Sequence, residues 1–158
     1  MTLKTILVAT DFSDSAQAAL EYGRGLAAAF NASLHLLHVV TEPLQEVWAG
    51  YAPGAALVDI LEDQQAQART CLAHLVPEGD VATGRATVAT AWGDPSDEIC
   101  KYAREHGIDL VVCGTHGHRG WNRLLMGSVA ESIVRLAPCP VFTVHAADAV
   151  HEIGRAHV

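Results

Sequence analysis

The sequence predicts an α/β fold, an open parallel sheet of five strands covered by helices on both faces, and three observations carry that prediction. Short apolar runs alternate with longer amphipathic segments along the chain, the pattern of strands separated by crossover helices. The apolar runs are near-continuous rather than alternating, so their strands are buried on both faces, as parallel strands are. The chain has 158 residues, 50% of them hydrophobic and 18% charged, which suits one domain with one sizeable core and is too apolar for a disordered chain.

In chain order, β1 is Ile6 to Ala9. The first helix follows, because Ala16, Ala19, Leu20, Gly23, Leu26, Ala27 and Phe30 keep the spacing of one helix face. Ser13 is placed to cap it and Asn31 to stop it. β2 is Leu34 to Val40, and the segment from Thr41 to Ala56, with two prolines and two glycines, is the one long connection. It reads either as a lid or binding loop or as a variable surface excursion. The second helix spans residues 56–75, ending before Pro77, with Leu57, Leu61, Ala68, Leu72 and Leu75 inward. β3 is Thr87 to Trp92. The third helix is capped by Asp94, has Pro95 at its first position and ends at Gly107. β4 is Leu110 to Cys113. The fourth helix starts at Ser128, where S-x-x-E through Glu131 reads as a capping box, and stops at Pro138. β5 is Val141 to Val144. Residues 1–146 form the domain, and residues 147–158 form a C-terminal tail without periodicity.

Ten Lys and Arg face 18 Asp and Glu, a formal net charge of −8. That sign argues against a protein that coats nucleic acid or an anionic membrane. No apolar stretch approaches the ~18–20 residues of a membrane span. The apolar run that ends at Asp11 is too short for the core of a signal peptide, so the expectation is a cytoplasmic protein. Cys71, Cys100, Cys113 and Cys139 form no C-x-x-C pair and read as small core residues.

Ligands of open parallel sheets bind beyond the carboxyl ends of the strands, where strand order reverses. Of the segments found there, the run GTHGHRGWNRLLMGS after β4 is the most unusual. From Leu110 to Ala130 it holds no acidic residue, while it carries His116, His118, Arg119 and Arg123. Its glycines let backbone N–H groups turn around a phosphate, Ser128 brings a hydroxyl, and the following helix brings its dipole, so the run points to an anion, foremost a polyphosphate. The known phosphate loops do not fit: the run lacks the G-x-x-x-x-G-K-[ST] lysine, and the turn after β1, ATDFSDS, has no glycine. The pattern that fits is G-x2-G-x9-G-[ST], at Gly114, Gly117, Gly127 and Ser128.

With that pattern the chain resembles the universal stress protein family, specifically its ATP-binding branch. The resemblance also covers ILVATDFSDSA at the start, LHLLHVV at β2, DLVVCGTHG at β4, and MGSVAESIVRLAPCPVFTV from the fourth helix through β5. It implies a doubly wound sheet of order 3-2-1-4-5, with the ends of β1 and β4 side by side. It further implies ATP, with Mg2+, at that switch point. Gly117, Gly127 and Ser128 would line the phosphates together with Gly114, with Val129 following at the helix start. Asp11 would meet the ribose or metal side, flanked by Ala9 and Thr10, and Val39 would bond adenine through its backbone. His118 and Arg119 belong to the stretch the pattern leaves free and are carried as candidate nucleotide contacts. A homodimer across β5, with a tetramer as a higher assembly, is implied too; the apolar edge strand fits it.

Competing readings stand beside several of these. The glycines also suit a tight turn, Ser128 is explained by the capping box, and Asp11 also suits a carboxylate capping the first helix. His116 and His118 lack a third metal ligand at a convincing spacing. His35 and His38 lie three apart in a strand, so they face opposite sides of the sheet and read as structural. Trp92 and Trp121 read as packing residues. No catalytic residue is assigned, and turnover extends at most to a slow ATPase. The rivals are a dimeric interaction protein with a vestigial glycine loop, and an enzyme acting on another phosphorylated or adenylated compound.

Overall fold

A computed structural model describes residues 2–41, 54–116 and 126–145, with the side chains of 54–57 left out. Five strands appear, β1 (Thr5–Ala9), β2 (Ser33–Val40), β3 (Ala86–Trp92), β4 (Leu110–Gly114) and β5 (Val141–Val144). They form one all-parallel sheet of order β3-β2-β1-β4-β5, as the resemblance implies. The register sets Ile6 beside Leu34 on one side and Leu110 on the other. The described helices are α1 (Asp14–Phe30), α2 (Gly54–Leu75), α3 (Glu78–Ala82), α4 (Pro95–Glu105) and α5 (Ser128–Leu136). None is long and apolar enough to cross a membrane.

Alternate residues along each strand feed two cores, one on each face, which is why the strand sequences are apolar throughout. Ile6, Val8, Leu34, Leu36 and Val112 pack with Ala18, Ala19 and Leu20 of α1 and Leu72 of α2. On the opposite face Leu7, Ala9, Leu37, Val39, Val111 and Cys113 pack with Ile99 and Ala103 of α4 and Ala130 and Ile133 of α5. Each fully buried Leu or Ile among them contributes about 1.5–3 kcal/mol.

The helix ends follow local chemistry. Ser13 caps α1 by accepting from the Ala16 N–H at 3.3 Å, and Asn31 ends it in the left-handed region, φ 52°. Such an ending is common for Asn, whose side chain tolerates positive φ. Gly23 lets α1 approach the sheet closely, because a Cβ there would lie 2.4 Å from Val8 Cγ2. In α2, Leu61, Ala68 and Leu72 are buried as the spacing predicts, while the side chain of Leu57 lies outside the described residues. Asp94 Oδ1 accepts from the Ser96 and Asp97 N–H groups at 2.9 and 3.1 Å, capping α4 behind Pro95.

Four expectations need correction. α3 has no counterpart in the sequence reading, because its five residues bury nothing and leave no periodic signal. α5 begins at Ser128, but Gly127 is its N-cap, so Ser128 is the first helical residue and the capping box with Glu131 is not formed. Trp92, expected to pack, is 39% exposed at the end of edge strand β3. Cys71 is exposed on α2, whereas Cys100 and Cys113 are core residues, and burial pushes the Cys113 thiol up to about 11.

Candidate functional site

β1 is the central strand, and its neighbours β2 and β4 are reached by connections on opposite faces, so the sheet opens at the carboxyl ends of β1 and β4. The chain leaves β1 through Thr10, whose N–H still donates to Leu37 O at 2.9 Å. Thr10 is buried, and its Oγ1 accepts from the Phe12 N–H at 3.0 Å. Asp11 is exposed, and its Oδ1 accepts from the Ser13 N–H at 3.0 Å and from Ser13 Oγ. This is an Asx turn feeding the helix, so Asp11 supports the cap while Ser13 makes it. Between them Phe12 has φ 63°, a conformation that costs a residue with a side chain roughly 1–2 kcal/mol.

The β4 side is tied to this turn by short bonds. Ser13 Oγ lies 3.4 Å from the His116 carbonyl, and Ser15 Oγ also donates to that oxygen. Thr115 N–H donates to Val144 O at 2.9 Å, its Oγ1 to the same oxygen at 3.3 Å, and its carbonyl accepts from the Gly127 N–H at 2.7 Å. The Thr115 hydroxyl also lies 2.9 Å from His116 Nδ1, which ties the imidazole to the same turn. The His116 ring also sits 4.8 Å from the His145 ring.

Gly127 thus stands against the end of β4 as the N-cap of α5, and it offers no side-chain cap. Among the described residues no side chain caps the first-turn amides of α5, which lie at the positive end of the helix. A Cβ at Gly127 would lie 3.1 Å from the Thr115 carbonyl oxygen, so the approach is tight. Gly114 is explained differently: a Cβ there would lie 2.5 Å from Ser15 Oγ and 2.8 Å from the Ser15 carbonyl carbon. Its lack of a side chain is what lets α1 cross the end of β4.

β2 outruns β1, since Ala9 pairs with Leu37 and β2 continues to Val40. Main-chain groups in a strand alternate in direction: Leu37 O faces β1 through Thr10, while Val40 O faces β3 through the Gly93 N–H at 3.2 Å. The backbone of Val39 shares the direction of Leu37 and so aims at the level where β1 has turned away. Its side chain is buried in the core beneath.

Of the residues singled out in the sequence, Ala9, Thr10, Asp11, Val39, Gly114, Gly127, Ser128 and Val129 thus lie around this one end of the sheet. Gly117, His118 and Arg119 lie outside the described residues. Sequence reasoning placed Ser13 as a cap and read His38 as structural but missed the bracing by Ser15 and Thr115; only the hydroxyls crowded into TDFSDS hinted at Ser15. Among the described residues no group of three or more His, Cys, Asp and Glu side chains is arranged to hold a metal ion. A divalent cation here would depend on oxygens brought by a ligand, with Asp11 as the protein's carboxylate.

The comparisons with known proteins agree with this architecture. The model of the universal stress protein family matches residues 2–145. The universal stress protein A homolog 1 of Coxiella burnetii is 33% identical over 144 residues, covering 91% of this chain and 97% of that protein. The solved universal stress protein UspA from Lactobacillus plantarum superposes with a TM-score of 0.74 at 30% identity, covering 91% of this chain and 99% of that one. A universal stress protein solved in complex with cAMP is 25% identical, with a TM-score of 0.58 over 92% of this chain and 99% of that one. The matched span, together with the 33% identity of the Coxiella burnetii relative over nearly the whole of both chains, shows that the chain belongs to the universal stress protein family.

Proposed function

We propose that this protein binds ATP, with Mg2+, between the ends of β1 and β4, and that binding rather than turnover is its activity. The observation that carries the proposal is the N-terminus of α5. With glycine at its N-cap, its first-turn amides have no side-chain cap among the described residues, in a stretch free of acidic residues from Leu110 to Ala130, within a chain of net charge −8. Gly117, Gly127, Ser128 and the Val129 amide would take the phosphates, with Arg119 supplying positive charge and His118 as a further nucleotide contact. Asp11, flanked by Ala9 and Thr10, would serve the ribose or the metal, and the Val39 backbone would bond adenine. The bound Mg2+ would neutralise phosphate charge. The relative solved with cAMP supports an adenine nucleotide as the ligand class.

The test is a thermal shift of the purified protein with Mg-ATP, with AMP and a non-adenine phosphate beside it. Stabilisation by ATP is expected, and its loss in Gly117→Val and Gly127→Val, both still folded. Unchanged affinity in both variants would remove the site assignment. A shift with AMP or the non-adenine phosphate but none with ATP would point to another phosphorylated compound.

A homodimer across β5 is proposed with it, and a tetramer as a higher assembly. β5 ends the sheet, and Phe142 on it is 42% exposed.

A further inference from the structure

We propose that His38 is a positioning residue for the nucleotide site, holding the turn at residues 10–13 in the conformation that presents Asp11. The inference rests on the nucleotide-binding reading above. His38 lies on β2, paired in register with Thr90 of β3, and is half-buried, so its ring starts from a fixed backbone. From there it makes two contacts, one to each residue flanking Asp11. Its Nδ1 is 2.8 Å from the Thr10 carbonyl oxygen. A carbonyl only accepts, so Nδ1 carries the proton and donates. Its ring lies 4.6 Å from the Phe12 ring, tilted by 38°.

Phe12 is the residue that needs holding. A phenylalanine at φ 63° is outside the backbone regions such a side chain prefers, and the residue is 37% exposed, so burial alone does not keep it there. The Phe12 N–H bond to Thr10 Oγ1 closes the turn from within. His38 braces it from the neighbouring strand. Asp11 sits between the two residues His38 touches, so the direction of its carboxylate follows from the same contacts. A turn ordered before the ligand arrives spares the ordering cost on binding.

The contacts make separable predictions. In the ligand-free protein, His38→Leu removes the donor and is expected to raise amide exchange at Phe12 and Ser13 about tenfold relative to β1 amides. His38→Asn, which keeps a donor near the Nδ1 position, is expected to restore most of the protection. With Mg-ATP, His38→Leu is expected to weaken binding about tenfold and His38→Asn by no more than about threefold. In a double variant with Asp11→Ala, the His38→Leu loss is expected to vanish, since it acts through Asp11. A wild-type protein that gives no response to Mg-ATP overturns the nucleotide reading and this role with it. Wild-type binding with unchanged affinity in His38→Leu, additive losses in the double variant, or equal losses in His38→Leu and His38→Asn, overturns the positioning role alone.

Discussion

His35 shows how one residue's surroundings become a property of the whole protein. Its Nδ1 lies 2.9 Å from the Tyr102 hydroxyl, and Tyr102 stacks on His106 at 3.8 Å. Burial, and then the charge of His106, hold the His35 pKa below its ordinary value of 6.5. The unfolded chain therefore takes up the His35 proton at a higher pH than the folded one. Stability is full above pH 6.5 and is lost as pH falls from there through the folded value. Urea midpoints measured between pH 7.5 and 5 are expected to fall, and to fall less in His35→Gln, which keeps a partner for Tyr102 without a titrating ring. Equal falls in both proteins would remove His35 as the source. The residue scale was also where the sequence was least legible. The opposite facing of His35 and His38 follows from strand period alone, yet the partners Tyr102 and Thr10 come from elements that only the fold brings near. Gly114 fits the phosphate pattern, but its closest neighbour is Ser15, about a hundred residues away along the chain.

At the scale of elements, legibility depended on whether the deciding contact was local. The caps of α1 and α4 come from side chains two or three residues from the amides they serve, and Ser13 and Asp94 were readable for that reason. The start of α5 is set instead by the bond from the Gly127 N–H to Thr115, and S-x-x-E, a sound local signal, was overruled by one residue. Two substitutions separate these cases. Asp94→Ala removes a working cap and is expected to cost about 1 kcal/mol in denaturant unfolding at pH 7. Hydrogen bonds from Ser96 and then from the Asp97 N–H hold the Asp94 carboxyl below its usual range. The difference is therefore present above the ordinary carboxylate value and shrinks as pH falls through the folded one. Ser128→Ala removes no cap and is expected to change stability by less than about 0.5 kcal/mol. Its cost should appear in ATP affinity instead, and a loss of stability near 1 kcal/mol would restore the capping role to Ser128.

For the whole molecule, strand order came from the family resemblance rather than from periodicity, because apolar runs say that strands are buried without saying which ones are neighbours. The order leaves β5 at one end of the sheet, and its main chain shows which groups a second copy would meet. Pro140 O accepts from the Val111 N–H at 3.0 Å and Val144 O from the Thr115 N–H at 2.9 Å, so the even-numbered residues of this strand face β4. By alternation, the main-chain groups of Val141 and Thr143 face outward, away from the sheet. Proline is tolerated on an edge strand where its missing N–H faces away from the ladder. Thr143→Pro therefore leaves the pairing with β4 in place and removes an outward donor from any ladder built between two copies. Light scattering of the unaltered protein at micromolar concentration is expected to give a dimer, and Thr143→Pro a monomer with unchanged far-ultraviolet circular dichroism. If Thr143→Pro stays dimeric and folded, β5 is not the seam; if the unaltered protein is a monomer, the homodimer is rejected.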